Sequence, residues 1–250
     1  MMESERCLLV DNSNTRTKFM LCGGGNQAEL QVVPTAEIRT DMLRDMLAGW
    51  CFHRAFLCSV VPWAAEVILS ALDGHDVVCL NAENASEVDF SVYPGKATLG
   101  ADRVANVLAA IKYAPLPLVA VDLGTATTLD VVVPGMERPL FAGGLIAPGF
   151  SAVADSLFGR TALLPGVSLD FHGAAIGKNT GEAMSSAVCI GYPGMIDALL
   201  EAVEEELGQA VHVVITGGDA ERIAPRLKHK CLHIPTLTLE GLAGFGDVRL

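Results

Sequence analysis

Short runs of aliphatic and β-branched residues recur along the chain, punctuated by Gly, Pro, Asn and Asp, with helix-period stretches between them. Cys7 to Val10 is an apolar strand ending in Asp11, and an outgoing strand closes near Met20-Leu21-Cys22. Gly23-Gly24-Gly25-Asn26 is a flexible turn, and Ala28 to Val33 a third strand. Thr35 then caps a helix through about Ala48, with Glu37 and Asp41 in its early turns, where the helix dipole favours anions. A buried strand over Ala55–Val61 stops at Pro62. A helix from Trp63 to Leu72 and a strand at Val77–Leu80 follow. Arg103 to Lys112 is helical, with Val104, Leu108 and Ile111 on one face. Two prolines in Tyr113–Pro117 end that helix. Strands over Leu118–Val121 and Thr127–Val133 come next, then a strand near Arg138–Phe141, a glycine-rich loop over Gly143–Gly149 and a helix from Phe150 to Leu157. Leu164-Pro165 closes that segment. Ile176–Glu182 opens a long helical region that runs through Ile190 and again from Pro193 to Leu207. Val211–Ile215 is a last strand, leading through Gly217-Gly218 into a helix.

Two places in this pattern share one design. Val121-Asp122-Leu123-Gly124-Thr125-Ala126-Thr127 delivers an Asp to the end of an apolar strand, turns through small residues and leaves as a second strand. Gly124 has no Cβ to keep the backbone from an anion, and Thr125, Thr127 and Thr128 offer donors. Asp122 and Asp130 are hard oxygen ligands for the cations that accompany phosphates. Cys7 to Phe19 repeats the design around Asp11. Two Asp-tipped hairpins imply an α/β fold of two similar actin/hexokinase (ribonuclease H-like) lobes with a cleft between them. The expected lobes are residues 1–114, with the first hairpin and the candidate catalytic Asp102, and 115–250, with the second hairpin and an adenosine-side Gly-Gly turn at Gly217-Gly218.

At 250 residues the chain suits two cores of ordinary domain size. A net charge of −12 disfavours broad nucleic-acid binding, which needs Lys and Arg to neutralise phosphates. Mean hydropathy is high at +0.41, yet no window holds about 18 uninterrupted apolar residues, so no membrane partner is expected. Met1–Arg6 lacks the basic-then-apolar order of a secretory signal, and a cytoplasmic location follows as an expectation. The seven cysteines are scattered without a Cys-x-x-Cys and read as reduced thiols. His229–His233 has metal-like alternation, but no second ligand pair stands elsewhere.

Gly100-Ala101-Asp102-Arg103 sits where the Ala-rich helix begins. Asp102 is there either as an N-cap or as the acceptor of a substrate hydroxyl proton, and Arg103 can pair with a carboxylate or a phosphoryl group. Thr180 is either an N-cap or a substrate donor. Gly173…Gly177-Lys178 is one residue short of a Walker A loop, and Asn179 replaces its Ser/Thr, which makes it a decoy.

The ordered set Asp11-x-x-Asn14-Thr15-x-x-Lys18, Ser59-Val60-Val61-Pro62, Gly100–Arg103, Asp122–Asp130, Gly143-Gly144-x-Ile146-x-Pro148-Gly149, Leu164-Pro165, Gly177–Thr180, Thr216-Gly217-Gly218 and Leu239–Leu242 resembles type III pantothenate kinase over nearly the whole chain. The resemblance implies ATP-dependent phosphorylation of pantothenate, the first step of coenzyme A synthesis. It implies an ATP-phosphate loop over Asp11, Asn12, Ser13, Asn14, Thr15, Arg16, Thr17 and Lys18, with Thr125 as a further ATP contact. Asp102 is then the proton acceptor, and Tyr93, Gly100, Ala101, Asp102, Arg103 and Thr180 are the pantothenate positions. Asp122 matches a carboxylate that holds K⁺ or NH₄⁺, Mg²⁺ accompanies the phosphates, and the family is a homodimer whose partner helps close the substrate pocket. The Gly181–Leu207 region is a dimer face or an intrachain core. Two departures stand out: Ser13 occupies a family glycine position, which would strain a backbone requiring φ > 0, and Ala187 follows Ser186 where Ser-Gly is usual. The Ser13 departure leaves open a catalytically weak relative with a regulatory or binding role. A different acceptor pocket around Tyr93 and Thr180 would make the chain another small-molecule kinase.

Overall fold

A computed structural model describes residues 6–23, 28–158, 174–248 and 250. Met1–Glu5, Gly24-Gly25-Asn26, Leu164-Pro165 and Gly173 lie outside the described residues.

The described strands form two five-stranded sheets. The first contains β1 (Cys7–Asn12), β2 (Arg16–Cys22), β3 (Glu29–Pro34), β4 (Arg54–Ser59) and β5 (Asp76–Cys79), in the order β3-β2-β1-β4-β5. β1 pairs antiparallel with β2 and parallel with β4. The second contains β6 (Leu118–Leu123), β7 (Ala126–Val133), β8 (Leu140–Pro148), β9 (His212–Thr216) and β10 (Cys231–His233), in the order β10-β9-β6-β7-β8. Read from β8, that order matches the first sheet. A hairpin supplies two strands and a third antiparallel strand can follow directly, whereas the parallel neighbours need helical crossovers. The repeated design seen in the sequence is therefore repeated in topology.

Two compact units emerge. The first holds residues 1–113, 132–142 and 236–250, and the second 114–131 and 143–235. Residues 132–142 group with the first unit, and so does the C-terminal segment 236–250. Its helix α7 (Leu237–Phe245) lies against α3 (Ala101–Ala110) so closely that a Cβ on Gly241 would meet the Ala105 carbonyl oxygen at 1.9 Å. The core of the first unit packs Leu8, Val10, Phe19, Leu57 and Ile68 of the sheet and of α2 (Pro62–Ala71) with Leu43 and Leu47 of α1 (Thr40–Leu47).

Three element boundaries differ from expectation. Thr35 caps no α-helix: a short 3₁₀ turn spans Thr35–Glu37 and α1 begins at Thr40, because the Thr35 hydroxyl is engaged elsewhere. The glycines after Phe141 do not end the strand, and β8 runs nine residues through them. After α4 (Phe150–Phe158), the long helical region is one helix, α5 (Thr180–Leu207), which contains Pro193. Its N-cap is Asn179, whose side chain accepts from the Glu182 N–H at 2.9 Å, while the Glu182 carboxylate accepts from the Lys178 N–H at 2.7 Å. α5 is long and apolar enough to cross a membrane by length and composition, and half of that apolar window is buried.

Candidate active site

The first hairpin closes with Asp11 opposite Lys18 and Asn12 opposite Thr17. Lys18 Nζ lies 3.1 Å from Asp11 Oδ2 and the Ser13 hydroxyl donates to Asp11 Oδ1 at 3.1 Å, so the buried carboxylate is held from both sides. Beneath the loop runs a directed relay. The Ser59 hydroxyl donates to Asn12 Oδ1 (2.6 Å), and Asn12 Nδ2 to Thr17 Oγ1 (2.8 Å). Thr17 and Thr35 hydroxyls meet at 3.0 Å, and Thr35 donates to the Ser13 carbonyl at 2.7 Å. With that last bond made, the Thr17 proton points to Thr35, and each threonine hydroxyl donates once and accepts once. A fully satisfied buried network of this kind holds its loop in one shape. Asn12 and Thr17 therefore face inward, under the loop, while Asn14, Thr15 and Arg16 are exposed at its tip. The expected strain at Ser13 is absent: among the described non-glycine residues only Asp247 has positive φ.

α3 starts at Gly100, which is its N-cap residue, so Asp102 is not the cap but stands in the first turn. Room for its carboxylate comes from Gly100, where an added Cβ would lie 2.5 Å from Asp102 Oδ1. Burial raises the Asp102 carboxyl above the ordinary carboxylate range, and the nearby charge of Asp11 pushes the same way against the opposing pull of the Arg103 N–H and guanidinium. A carboxylate with raised proton affinity is a better general base. Arg103 is 8% exposed and lies over the Phe141 ring, 5.9 Å from its centroid. Tyr93 meets the same ring edge-on at 5.2 Å. The first unit thus brings together Asp11–Lys18, Tyr93 and Gly100–Arg103.

The second hairpin turns through Gly124 and the exposed Thr125, with the half-buried Asp122 one residue before the end of β6. Asp130 is fully buried along β7, so of the two acids singled out in this hairpin only Asp122 stands at the turn. Gly149 packs against the turn, where a Cβ would reach the Gly124 and Thr125 carbonyls at 2.4 Å. Thr127 shares a 2.5 Å hydrogen bond with the buried Tyr192 hydroxyl of α5. Gly217, at φ +101°, lies against the Leu123 backbone, and the Asp219 N–H donates to the Leu123 carbonyl at 3.1 Å. Burial raises the Tyr192 phenol, the Thr127 bond opposes this, and the charges of Asp219 and Asp122 add to the rise. Asp122 and Asp219 are thus both close enough to act on the Tyr192 hydroxyl. Thr180 is exposed as the first residue of α5, which removes its reading as an N-cap.

His229–His233 does not gather a metal set: His229 Nδ1 contacts Asp197 Oδ1 at 2.7 Å, and no cluster of three metal-binding side chains occurs among the described residues. Burial raises the Asp197 carboxyl, but the His229 ring and the Lys228 and His229 N–H groups outweigh it and leave a net lowering. Thr35, Phe141 and Tyr192 were missed in the sequence. Each acts on a residue at least 22 positions away or across an aromatic contact, which no local pattern encodes.

A type III pantothenate kinase family model matches residues 7–202. The chain is 41% identical over 239 residues to the type III pantothenate kinase of Akkermansia muciniphila, covering 94% of this chain and 96% of the relative. Among solved structures it is similar to a glucokinase from an Antarctic psychrotroph (TM-score 0.53, 12% identity, 96% and 98% covered). It is also similar to an archaeal actin homolog in complex with ADP (TM-score 0.50, 10% identity, 97% and 98% covered). These two likenesses carry the fold alone, the expected actin/hexokinase type of two α/β lobes.

Proposed function

This chain belongs to the type III pantothenate kinase family, its reaction is the ATP-dependent phosphorylation of pantothenate in coenzyme A biosynthesis, and we propose that Asp102 is the base of that reaction. One observation carries the assignment: a carboxylate of raised proton affinity stands in the first turn of α3, within electrostatic reach of the Asp11 loop. Asp102 takes the proton of the pantothenate hydroxyl as its oxygen attacks the γ-phosphorus, the bond to the β-phosphate oxygen breaks, and ADP leaves. Arg103 pairs with the acceptor carboxylate as a planar fork does best, and Tyr93, Gly100, Ala101 and Thr180 complete that pocket. Asn14, Thr15, Arg16 and Lys18 meet the triphosphate with the Ser13 backbone. Asn12 and Thr17 keep the loop in shape, and Thr125 is a further ATP contact.

Asp122 fits a monovalent cation, K⁺ or NH₄⁺, because its carboxylate is a hard oxygen donor, half-buried beside the turn. Mg²⁺ would accompany the phosphates. Both cations would neutralise charge that builds on the phosphoryl oxygens, where phosphoryl transfer gains most from positioning and electrostatics. The exposed side of α5 presents Ala183, Ala187, Ile190, Gly191 and Gly194, a flat face that supports homodimer formation through this helix.

The test is phosphate transfer from ATP to pantothenate by purified protein, with K⁺ or Na⁺, for the wild type and Asp102→Asn. Loss of turnover on the order of 10²–10⁴-fold with nucleotide binding retained is expected of a general base. Turnover retained in Asp102→Asn removes the assignment, and indifference to the cation removes Asp122 from its role.

A further inference from the structure

We propose that Phe141 is a positioning residue for the acceptor: one buried ring fixes both Tyr93 and Arg103 in the geometry that grips pantothenate. The ring is fully buried, Tyr93 stands edge-on to it at 5.2 Å with an interplanar angle of 84°, and the Arg103 guanidinium lies 5.9 Å from its centroid. An edge-to-face ring pair and a guanidinium over a ring both draw on the quadrupole of an aromatic. An aliphatic side chain of similar volume offers neither.

The backbone holds Phe141 to the acceptor segment as well. The Phe141 N–H donates to the Asp89 carbonyl at 2.9 Å, the Asp89 N–H donates to the Pro139 carbonyl at 2.8 Å, and Asp89 forms an isolated parallel bridge with Leu140. One residue on from Asp89, Phe90 packs its ring on Phe141 at 5.2 Å, and its carbonyl accepts from the Tyr93 N–H at 3.2 Å. The segment carrying Tyr93 is thus nailed to the start of β8, and Phe141 is the nail that also touches α3 through Arg103. Phe90 belongs to the same aromatic group but makes ring contact with Phe141 alone among the described aromatic and cation contacts. That difference separates packing from positioning.

The inference rests on the reading of Tyr93 and Arg103 as acceptor-binding residues, and the experiment keeps the two apart. KM for pantothenate, KM for ATP, kcat and Tm are measured for Phe141→Leu, Phe90→Leu and Arg103→Met. Phe141→Leu is expected to raise the pantothenate KM on the order of tenfold while the ATP KM stays within about twofold. Phe90→Leu should lower Tm comparably and leave the pantothenate KM near the wild-type value. If Phe141→Leu does not fold, Phe141→Met, with a flexible side chain that fills irregular space, carries the same expectation. Equal rises in pantothenate KM for Phe90→Leu and Phe141→Leu would mean packing alone and overturn the proposal. A raised pantothenate KM in Arg103→Met with none in Phe141→Leu overturns it while leaving the acceptor site standing. An unmoved KM in Arg103→Met overturns the acceptor reading and this inference with it.

Discussion

Gly100→Ala is the sharpest probe of the proposed base. Gly100 has φ −55° and ψ 135°, a conformation alanine adopts freely, so the backbone itself loses nothing. The new methyl would lie 2.5 Å from Asp102 Oδ1, and its next neighbour, Val60 Cγ1, is already at an ordinary 3.5 Å. Ordinary contact begins at 3.4 Å, so the carboxylate oxygen must retreat by roughly 0.9 Å. It is the end of a short side chain, but swinging aside stretches the bond it accepts from the Arg103 N–H at 2.7 Å, worth about 1 kcal/mol, so Tm is expected to fall by no more than about 4 °C. Catalysis is less forgiving, because a misplacement of about 1 Å costs on the order of 10²-fold in rate. Steady-state kinetics with a coupled ADP assay should therefore show kcat down by roughly 10–10²-fold, with the ATP KM little changed. A Gly100→Ala enzyme within about threefold of wild-type kcat, at unchanged Tm, would refute the claim that Asp102 acts from this position.

Four further outcomes are expected. Thr35→Val leaves the Ser13 carbonyl and the Thr17 hydroxyl without their partner, at about 1–3 kcal/mol; thermal melts should show Tm lower by about 2–4 °C per kcal/mol, with the ATP KM raised. Because the Asp102 carboxyl is raised in the folded state, folding holds its proton more tightly than the unfolded chain does, so ionising it costs stability as pH rises from the ordinary carboxylate value through the raised one. Asp102→Asn should thus melt higher than wild type at neutral pH, the gain fading as pH falls towards the ordinary value, and wild-type kcat/KM should drop on the acid side through the raised pKa. Tyr192→Phe removes the 2.5 Å partner of Thr127, and a several-fold rise in ATP KM at near-constant pantothenate KM is expected, from about 1 kcal/mol. Ser13→Gly should not tighten ATP binding, since Ser13 is unstrained and its hydroxyl holds Asp11; a loss of about 0.5–1 kcal/mol in stability is expected from the freer unfolded chain, read by denaturant midpoint.

By itself the sequence determined the two Asp-ended hairpins, the α/β class and the acids worth naming, because strand periodicity, β-branched runs and turn residues act within a few positions of one another. It placed Asp11 and Asp122 within one residue of the ends of their strands and Asp102 in the first turn of its helix. It could not tell that Thr35 would turn its hydroxyl to the Ser13 carbonyl and delay a helix by four residues. Nor could it tell that the glycines of β8 continue a strand, or that Pro193 lies inside a helix, since neighbours distant in sequence override local propensity. The strain expected at Ser13 was a family rule applied to one residue; only the folded backbone, with its φ decided by the loop around it, could answer it. The tertiary structure also decided which side chains work together. Thr127 meets Tyr192 across 65 positions, and Phe141 reaches Tyr93 and Arg103 from another part of the chain, contacts that exist only once burial has brought separate elements to one place.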